Sequence, residues 1–294
     1  MTVMKAIKKT TNIFTVIDIG NNKVSCLIGT SVKTNDVQVK VLGFGQHASI
    51  GISNGLITNM NEIANSIARA VEGAETMAGF PIKKVVCSIS GGRPITKIIR
   101  NQLKIDSGQV MKSDLIKIHK INDLIGIDNY TPLSINPIKY YIDKNNPVDN
   151  PIGMHTDNLT LDTSITYGKK NVMQNFASAI ELCHLSAEKF IISPEASGVS
   201  AMTKDEREHG AIVIDLGGNI TSIGVFINDK IVFSDSIPIG GIHITSDIVR
   251  GLGTKSEDAE KIKILYGSAL SNAVSYTHLR AHETREDLVC RLLL

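Results

Sequence analysis

Two stretches of the chain share one pattern of apolar and polar positions. Residues 16–29 read VIDIGNNKVSCLIG, and residues 213–226 read VIDLGGNITSIGVF. Each stretch is an apolar run that ends in an aspartate, a glycine-rich turn and a second apolar run, which predicts a β-hairpin with an acidic residue at the end of its first strand. The copies lie too far apart for a solenoid repeat of about 20–50 residues. They indicate two related domains that each present one turn to a shared site.

The first hairpin is followed by the pattern of an α/β unit. Strands are predicted at 13–19, 23–30, 37–46 and 83–90, with Val37, Val39 and Val41 on one face of the third. A helix is predicted from Asn59 or Asn61 to Ala78 by the spacing of Ile63, Ile67, Ala70, Val71, Ala74 and Met77. The predicted order is β-β-β-α-β, which is typical of an α/β domain.

The segment 91–167 differs in composition and is rich in Asn, Asp, Pro and Lys. Strands and turns, an amphipathic helix at 111–126 and strands at 132–145 and 157–168 predict a small inserted α+β subdomain. Later elements are a helix at 170–184, a strand at 190–194, a helix and turn at 195–210, a strand within 229–241, and two helices with Thr245 and Ser256 as N-caps. The predicted division is a flexible N-terminus (1–12), a first domain (13–90 and 168–203), the insertion (91–167), a second domain (204–273) and a tail (274–294).

The chemistry of the two hairpins fits a nucleotide. Glycines allow the backbone to approach closely, so that amide groups can surround phosphate oxygens. Asp18 and Asp215 can hold Mg²⁺ through its waters, and Lys23 can neutralise phosphate charge. Each hairpin taken alone is also compatible with a tight turn and a capping aspartate. Neither a Walker loop nor a dinucleotide-binding GxGxxG motif is present.

Composition narrows the function classes. The 294 residues are 42% hydrophobic and 20% charged, with a formal net charge of +2, which gives no indication of nucleic-acid binding. The cysteines at 26, 87, 183 and 290 are scattered without a CxxC pair, which favours a reducing compartment over disulfides or a zinc site. No signal peptide and no apolar run of about 20 residues occurs, so a cytoplasmic location is expected.

The tail from Val274 resembles the translation of sequencing-adapter DNA found at the ends of assembled gene fragments. His278 and His282 would share a helix face there, but two histidines without a third ligand are weak evidence for a metal site. The native sequence is expected to end near residues 270–273, within the second domain. Exposed apolar surface and poor solubility are therefore expected.

The paired hairpins, the Gly240-Gly241 turn and a later Glu/Lys helix resemble the superfamily of actin, the 70-kilodalton chaperones and the sugar kinases. More specifically, the chain resembles the FtsA family of bacterial cell-division proteins. The stretches that carry this resemblance are GISNGLI (51–57), AETMAGFPI (74–82), VVCSISGG (85–92) and IPIGGIHITSDIVRGLGTKSEDAEKIKILYGSA (237–269). The resemblance implies an actin-like (ribonuclease H-like) α/β ATPase fold, with two related domains around a nucleotide cleft and an inserted α+β subdomain.

The resemblance also implies roles for individual residues. In the superfamily the first turn binds the β- and γ-phosphates, the second closes on them, and the two aspartates lie on the magnesium side. The residues at these positions are Gly20, Asn21, Asn22 and Lys23 in the first turn, Gly217, Gly218 and Asn219 in the second, and Asp18 and Asp215 for magnesium. Gly240 and Gly241 fall near the nucleotide sugar, and Glu260 and Lys263 match the pair that holds the adenosine. Spacing alone favours an ordinary surface ion pair, but the match to the family motif outweighs it.

The implied function is an ATP- and Mg²⁺-binding adaptor that forms filaments with itself and binds FtsZ. It recruits later division proteins through the insertion, and it is attached to the cytoplasmic face of the inner membrane at the septum by a C-terminal helix beyond this chain's end. Asn219 replaces a third glycine at a cost in backbone freedom. Ser193-Pro194 stands where many relatives have Glu-Pro or Gln to orient the attacking water, while Glu195 is expected to point elsewhere. Slow or absent hydrolysis is therefore expected.

Two other functions remain open at the level of sequence. A sugar or acetate kinase of the same superfamily would need a catalytic base, for which the insertion offers Asp106, Asp114 and Asp123, all expected to face solvent. Another actin-like scaffold, such as a pilus-assembly ATPase, would share the hairpins without binding FtsZ.

Overall fold

The computed structural model describes residues 13–33, 37–123, 126–143 and 145–269. The predictions for residues 1–12 and for the tail, with His278, His282 and Cys290, lie outside the described residues. The chain divides into two compact units, one ending at Ile237 and one beginning at Pro238. No helix in the described part of the chain is long and apolar enough to cross a membrane.

A five-stranded sheet forms the first layer of the larger unit, in the order β11-β6-β1-β2-β3. Its strands are β1 (Ile13–Ile19), β2 (Lys23–Lys33), β3 (Val37–Ala48), β6 (Lys84–Ile89) and β11 (Ser186–Ile192). The first three strands are antiparallel neighbours, whereas β6 runs parallel to both β1 and β11. The carboxyl ends of β1, β6 and β11 therefore lie along one edge of the sheet.

Two helices cover one face of this sheet, α1 (Met60–Ala78) and α3 (Lys170–Glu181). Asn59 caps α1 by accepting from the backbone amides of Asn61 and Glu62. The buried cluster joins apolar residues of the sheet to both helices, including Ile17, Ile19, Ile63, Ile67 and Phe176. Burial on one face explains why the sequence predicts these strands and helices.

Strand β3 packs against α1 through two glycines. A Cβ atom on Gly43 would lie 2.1 Å from the carbonyl oxygen of Ala74, and one on Gly45 would lie 2.0 Å from that of Ala70. The helix backbone therefore rests directly on the strand. One predicted position needs correction at this contact, because Met77 is 65% exposed rather than buried with the helix core. Val39 and Val41 share one face of β3, as predicted, and that face is about half exposed.

The segment predicted to be an insertion forms a four-stranded antiparallel sheet in the order β7-β10-β8-β9. Its elements are β7 (Ile95–Lys104), α2 (Lys112–Asp123), β8 (Tyr130–Ile142), β9 (Asn146–Val148) and β10 (Asn158–Lys169). A small core between α2 and the sheet contains Ile118, Leu159 and Leu161. Asp114 was predicted to face solvent, but it is buried. Its carboxylate accepts a hydrogen bond from the Met111 amide at 3.0 Å, because a carboxylate satisfies free amides in the first turn of a helix.

The second hairpin belongs to a three-stranded sheet of β12 (Ala211–Leu216), β13 (Thr221–Ile227) and β14 (Lys230–Ile237). Two short helices precede it, α4 (Ser193–Ala201) and α5 (Lys204–His209). One face of β12 carries Ile212, Ile214 and Leu216, and all three side chains are exposed. Leu216 is the most exposed of them, at 78%. The strand predicted at 190–194 begins and ends too late, since β11 spans Ser186–Ile192. Ser193 and Pro194 begin α4, where proline is tolerated in the first helical turn.

The smaller unit consists of α6 (Gly241–Leu252) and α7 (Ser256–Tyr266). The predicted N-cap at Thr245 is wrong, since α6 begins four residues earlier and Thr245 is buried within it. Ser256 is the first helical residue rather than the N-cap, which is Lys255. The start of α6 is hard to predict from helix propensity, because glycine, a poor helix former, occupies it.

One helix of the larger unit is shorter than predicted. Helix α3 was predicted to reach residue 184, but it ends at Glu181, and His184 adopts a left-handed φ of 60°.

Candidate functional site

The two hairpins that share a sequence pattern also share their geometry. Asp18 lies opposite Ser25 in the first hairpin, as Asp215 lies opposite Ser222 in the second. Both turns are closed by the same backbone hydrogen bond. Gly20 N donates to Lys23 O at 3.1 Å, and Gly217 N donates to Ile220 O at 2.9 Å. The repeat predicted from the sequence is therefore a structural repeat, with Lys23 and Ile220 at equivalent positions.

The glycines of these turns are needed for space. A Cβ atom on Gly217 would lie 2.7 Å from Ile220 O, and one on Gly218 would lie 3.2 Å from the Cβ of Asn22. The second distance shows that the two turns contact one another within the larger unit. Asn219 does not adopt a positive φ, so its backbone conformation is one that any residue can take. The expected backbone cost of asparagine at this position is therefore not present.

The two aspartates lie near the ends of β1 and β12, and the charge of Asp215 affects the pKa of Asp18. Burial raises the pKa of Asp18, and the negative charge of Asp215 raises it further. A hydrogen bond from Ser88 and the charge of Lys23 act in the opposite direction. A divalent cation between the carboxylates would relieve both the burial cost and the repulsion.

The two carboxylates fit a Mg²⁺ ion that takes most of its ligands from water and phosphate oxygens. Within the described ranges no group of three or more His, Cys, Asp or Glu side chains could hold a metal ion. Asp18 and Asp215 supply carboxylates, and Mg²⁺ usually completes its shell with waters and phosphate oxygens. Glycine-rich turns beside the carboxylates are suited to the phosphates. The residues present thus fit both Mg²⁺ and a nucleotide.

A group of serines beside Asp18 was not predicted. Ser88 is level with Asp18 in the parallel pairing of β1 and β6. The Oγ of Ser193 lies 2.7 Å from Ser90 Oγ and 3.4 Å from Ser88 Oγ. Ser193 thus places a buried hydroxyl, rather than a carboxylate or an amide, next to Ser88, which is hydrogen-bonded to Asp18. The sequence does show two serines, Ser88 and Ser90, at the carboxyl end of β6. Which side chains they contact depends on the neighbouring strands, which the sequence does not specify.

Helix α4 also reaches the second hairpin. Ser197 Oγ donates to Asp215 Oδ2 at 3.2 Å, four residues after Ser193. Glu195 lies between them in the chain and lines a cavity of about 250 Å³ with Asn136, Arg207 and other residues, none of them a predicted site residue. Its Oε2 is buried without a hydrogen-bond partner among the described residues.

A third turn supports the first hairpin. The segment 48–57 reads as a loop in the sequence, but Ile52–Ser53 (β4) and Leu56–Ile57 (β5) form a small hairpin. Its Asn54-Gly55 turn has φ values of 48° and 69°, typical of the Asn-Gly turns that join hairpin strands. Gly55 N donates to Asn21 Oδ1 at 2.9 Å. This bond fixes the side chain of a predicted phosphate-binding residue.

In the smaller unit, Glu260 and Lys263 form part of a compact polar network. Lys263 Nζ lies 2.6 Å from Glu260 Oε2, and it donates to Gly241 O at 3.2 Å. Thr245 Oγ1 donates to Glu260 Oε2 at 2.6 Å. The network ties α7 to the first turn of α6, next to Gly240. The pair is therefore more than an isolated surface ion pair. The predicted roles of Gly240, Gly241, Glu260 and Lys263 toward a nucleotide stay predictions.

The Glu260 network is expected to weaken in acid. The hydrogen bond from Lys263, followed by that from Thr245, lowers the pKa of Glu260. Its contribution to stability is thus fully present above the ordinary glutamate pKa of about 4.3 and is lost as pH falls through the lower folded value. We expect Glu260→Gln to lower the free energy of unfolding at pH 7 and to match the unmutated chain in strong acid, as measured by urea unfolding. Glu257→Gln, at an exposed position in the first turn of α7, is the control, and equal pH dependence in both variants would contradict the assignment.

Solved structures show the class of fold. The chain is similar to the PilM-PilN type IV pilus biogenesis complex, with a TM-score of 0.59 and 15% identity over 86% of this chain and 70% of that one. It is also similar to the ethanolamine utilization protein EutJ from Carboxydothermus hydrogenoformans, with a TM-score of 0.51 and 12% identity over 87% of this chain and 62% of that one. With the paired hairpins, these similarities define an actin-like ATPase fold, and the predicted fold class is confirmed.

Sequence relatives narrow this class to one family. The family model of cell division protein FtsA matches residues 212–287, and FtsA of Rhizobium meliloti (strain 1021) is 32% identical over 275 residues. These matches support the assignment of the chain to the FtsA family of cell-division proteins. FtsA of Neisseria meningitidis serogroup B is 35% identical over 255 residues. These matches cover 90% and 86% of the chain, which spans 62% and 61% of the two relatives.

Proposed function

We propose that the chain is the ATP-binding part of an actin-like cell-division adaptor, with the two hairpins as its phosphate clamp. The observation that carries the proposal is the contact between the two equivalent turns, which brings together their glycines, Lys23 and the carboxylates of Asp18 and Asp215. Lys23 would neutralise phosphate charge, and the carboxylates would bind the waters of Mg²⁺. Family membership supports this role over the kinase and pilus-scaffold alternatives.

ATP acts in this proposal as a ligand that holds the two hairpins together, with slow or absent turnover. The hydroxyl of Ser193 is a weaker base than a carboxylate and is occupied by Ser90 and Ser88. Magnesium, when bound, supplies positive charge to the phosphates. The residues of the chain itself contribute position and electrostatic balance.

The remaining parts of the proposal follow from the family. The adaptor binds FtsZ, forms filaments with itself and recruits later division proteins through the inserted sheet. It acts at the cytoplasmic face of the inner membrane at the septum. The proposal includes no binding of nucleic acid, in keeping with the small net charge.

Loss of Lys23 or Asp18 tests the clamp. We expect Lys23→Ala to weaken ATP binding at least about tenfold, because a charge-assisted phosphate contact is removed. We expect Asp18→Asn to abolish most of the gain in affinity that Mg²⁺ gives, since a neutral amide holds the waters of the cation less strongly. Binding of ATP is measured by calorimetry, in magnesium and in chelator. Lys40→Ala, at an exposed position of β3, is the matched control. ATP affinity that is unchanged in both site variants would refute the proposed site.

A further inference from the structure

The second hairpin contacts the turn that supports the first through an apolar side chain. Ile220 is only 5% exposed although it lies in a glycine-rich turn. A Cβ atom on Gly55 would lie 2.7 Å from Ile220 Cδ1, so the isoleucine packs directly on the backbone of the Asn54-Gly55 turn. A residue with any side chain at position 55 would have to displace it.

The turn under Ile220 is itself bonded to the first hairpin. The Gly55 amide donates to Asn21 Oδ1, so the contacts run from Ile220 through Gly55 to Asn21. Beside this path, Gly218 lies against Asn22. The two phosphate turns are thus linked twice, once directly and once through the Asn54-Gly55 turn.

The structural repeat separates the role of the Ile220 side chain from that of its backbone. The Ile220 carbonyl closes its own turn at the position where the Lys23 carbonyl closes the first. The Lys23 side chain is exposed, whereas the Ile220 side chain is buried. The hairpin needs only the carbonyl, so closure of the turn does not explain a buried apolar side chain at this position.

We propose that Ile220 is a positioning residue of the phosphate clamp. Its side chain holds the Asn54-Gly55 turn in place, and the Gly55 amide then fixes Asn21 before any nucleotide arrives. The clamp is thereby preorganised, so less of the binding energy is used to order the turns. The consequence for ATP affinity rests on the proposed function, whereas the consequence for the Gly55–Asn21 bond does not.

Leucine and threonine at position 220 provide the test, because leucine keeps a δ-methyl group that can reach Gly55, whereas threonine ends at its γ atoms and adds a hydroxyl. We expect Ile220→Leu to stay within about threefold of the unmutated ATP affinity, since the apolar volume and a δ-methyl group remain. We expect Ile220→Thr to bind ATP roughly tenfold more weakly, because a buried hydroxyl without a partner favours release of the turn. Ile212→Thr, on an exposed position of β12, is expected to change nothing.

Hydrogen exchange in the nucleotide-free chain measures the link itself. The Gly55 amide is expected to exchange at least about tenfold faster in Ile220→Thr and to remain protected in Ile220→Leu. Asn21→Ala, which removes the acceptor at the other end, is expected to expose the same amide, and it serves if Ile220→Thr does not fold. The double variant is expected to add little, because both changes break one path.

Three outcomes would overturn the proposal. The first is a Gly55 amide that stays protected in both Ile220→Thr and Asn21→Ala. The second is faster exchange in Ile220→Thr with unchanged ATP affinity. The third is an equal loss of affinity in the leucine and threonine variants. If the unmutated chain binds no ATP, the proposed function fails, and the exchange experiment still decides whether Ile220 fixes Asn21.

Discussion

Gly45→Ala is expected to destabilise the larger unit by about 3 kcal/mol or more. The new methyl group would lie 2.0 Å from the carbonyl oxygen of Ala70 and 2.6 Å from the amide nitrogen of Ala74. These are backbone atoms of α1, so no side-chain rotation can relieve the clash, and the helix must move off the sheet. The buried cluster beneath α1 would then lose its close packing. Urea unfolding followed by circular dichroism measures the loss.

The control for Gly45→Ala is a glycine without neighbours. Gly251 lies in α6 and does not need a positive φ, and a Cβ atom added to it would have no other atom within 4 Å. Alanine there is expected to be neutral or to stabilise by up to about 1 kcal/mol, because glycine is a poor helix residue. Similar stability changes for Gly45→Ala and Gly251→Ala would show that β3 and α1 are not in backbone contact.

Gly91→Ala is expected to have a comparable effect, with a second consequence for the site. Its Cβ would lie 2.1 Å from the Cα and 2.3 Å from the carbonyl oxygen of Gly55. The Asn54-Gly55 turn must therefore shift, which breaks the hydrogen bond from the Gly55 amide to Asn21. We expect a loss of about 3 kcal/mol in unfolding free energy together with weaker ATP binding.

Denaturant unfolding and calorimetric ATP titration of the same preparation separate these two effects. Gly251→Ala is again the control, since a Cβ atom there would have no other atom within 4 Å and the residue lies within α6. A Gly91→Ala chain with the stability and ATP affinity of the control would mean that the backbones of the 91 and 55 turns do not touch.

Regular elements with one buried face were predictable from the sequence. Strand β1 has its predicted bounds and α1 begins within two residues of the prediction, because burial on one side imposes a periodicity on the residues. Element ends were less predictable. Ser193 and Pro194 continue an apolar run yet begin a helix, and Gly240 hides the start of α6. In both cases the local sequence permits two conformations and tertiary packing decides between them.

The site was predictable as two turns but not as an assembly. The repeated Asp-Gly pattern located Asp18 and Asp215, because each hairpin is a local structure. Ser88 comes beside Asp18, and Ser193 beside Ser88, only through the parallel order of β1, β6 and β11. The Asn54-Gly55 turn carried a recognisable hairpin signal in its sequence, but its bond to Asn21 is a contact between distant segments. Register and strand order are properties of the folded sheet, so no spacing in the sequence contains them.

The two copies of the repeat differ in the burial of their first strands, β1 and β12. Ile214 and Leu216 occupy the positions that Ile17 and Ile19 occupy in the first copy, where both residues are fully buried. Within the described residues, β12 also pairs with β13 alone, so its outer edge carries free backbone donors and acceptors. The same hydrophobic pattern is thus covered by a layer of helices in the first copy, whereas in the described part of the chain its equivalent on β12 is exposed.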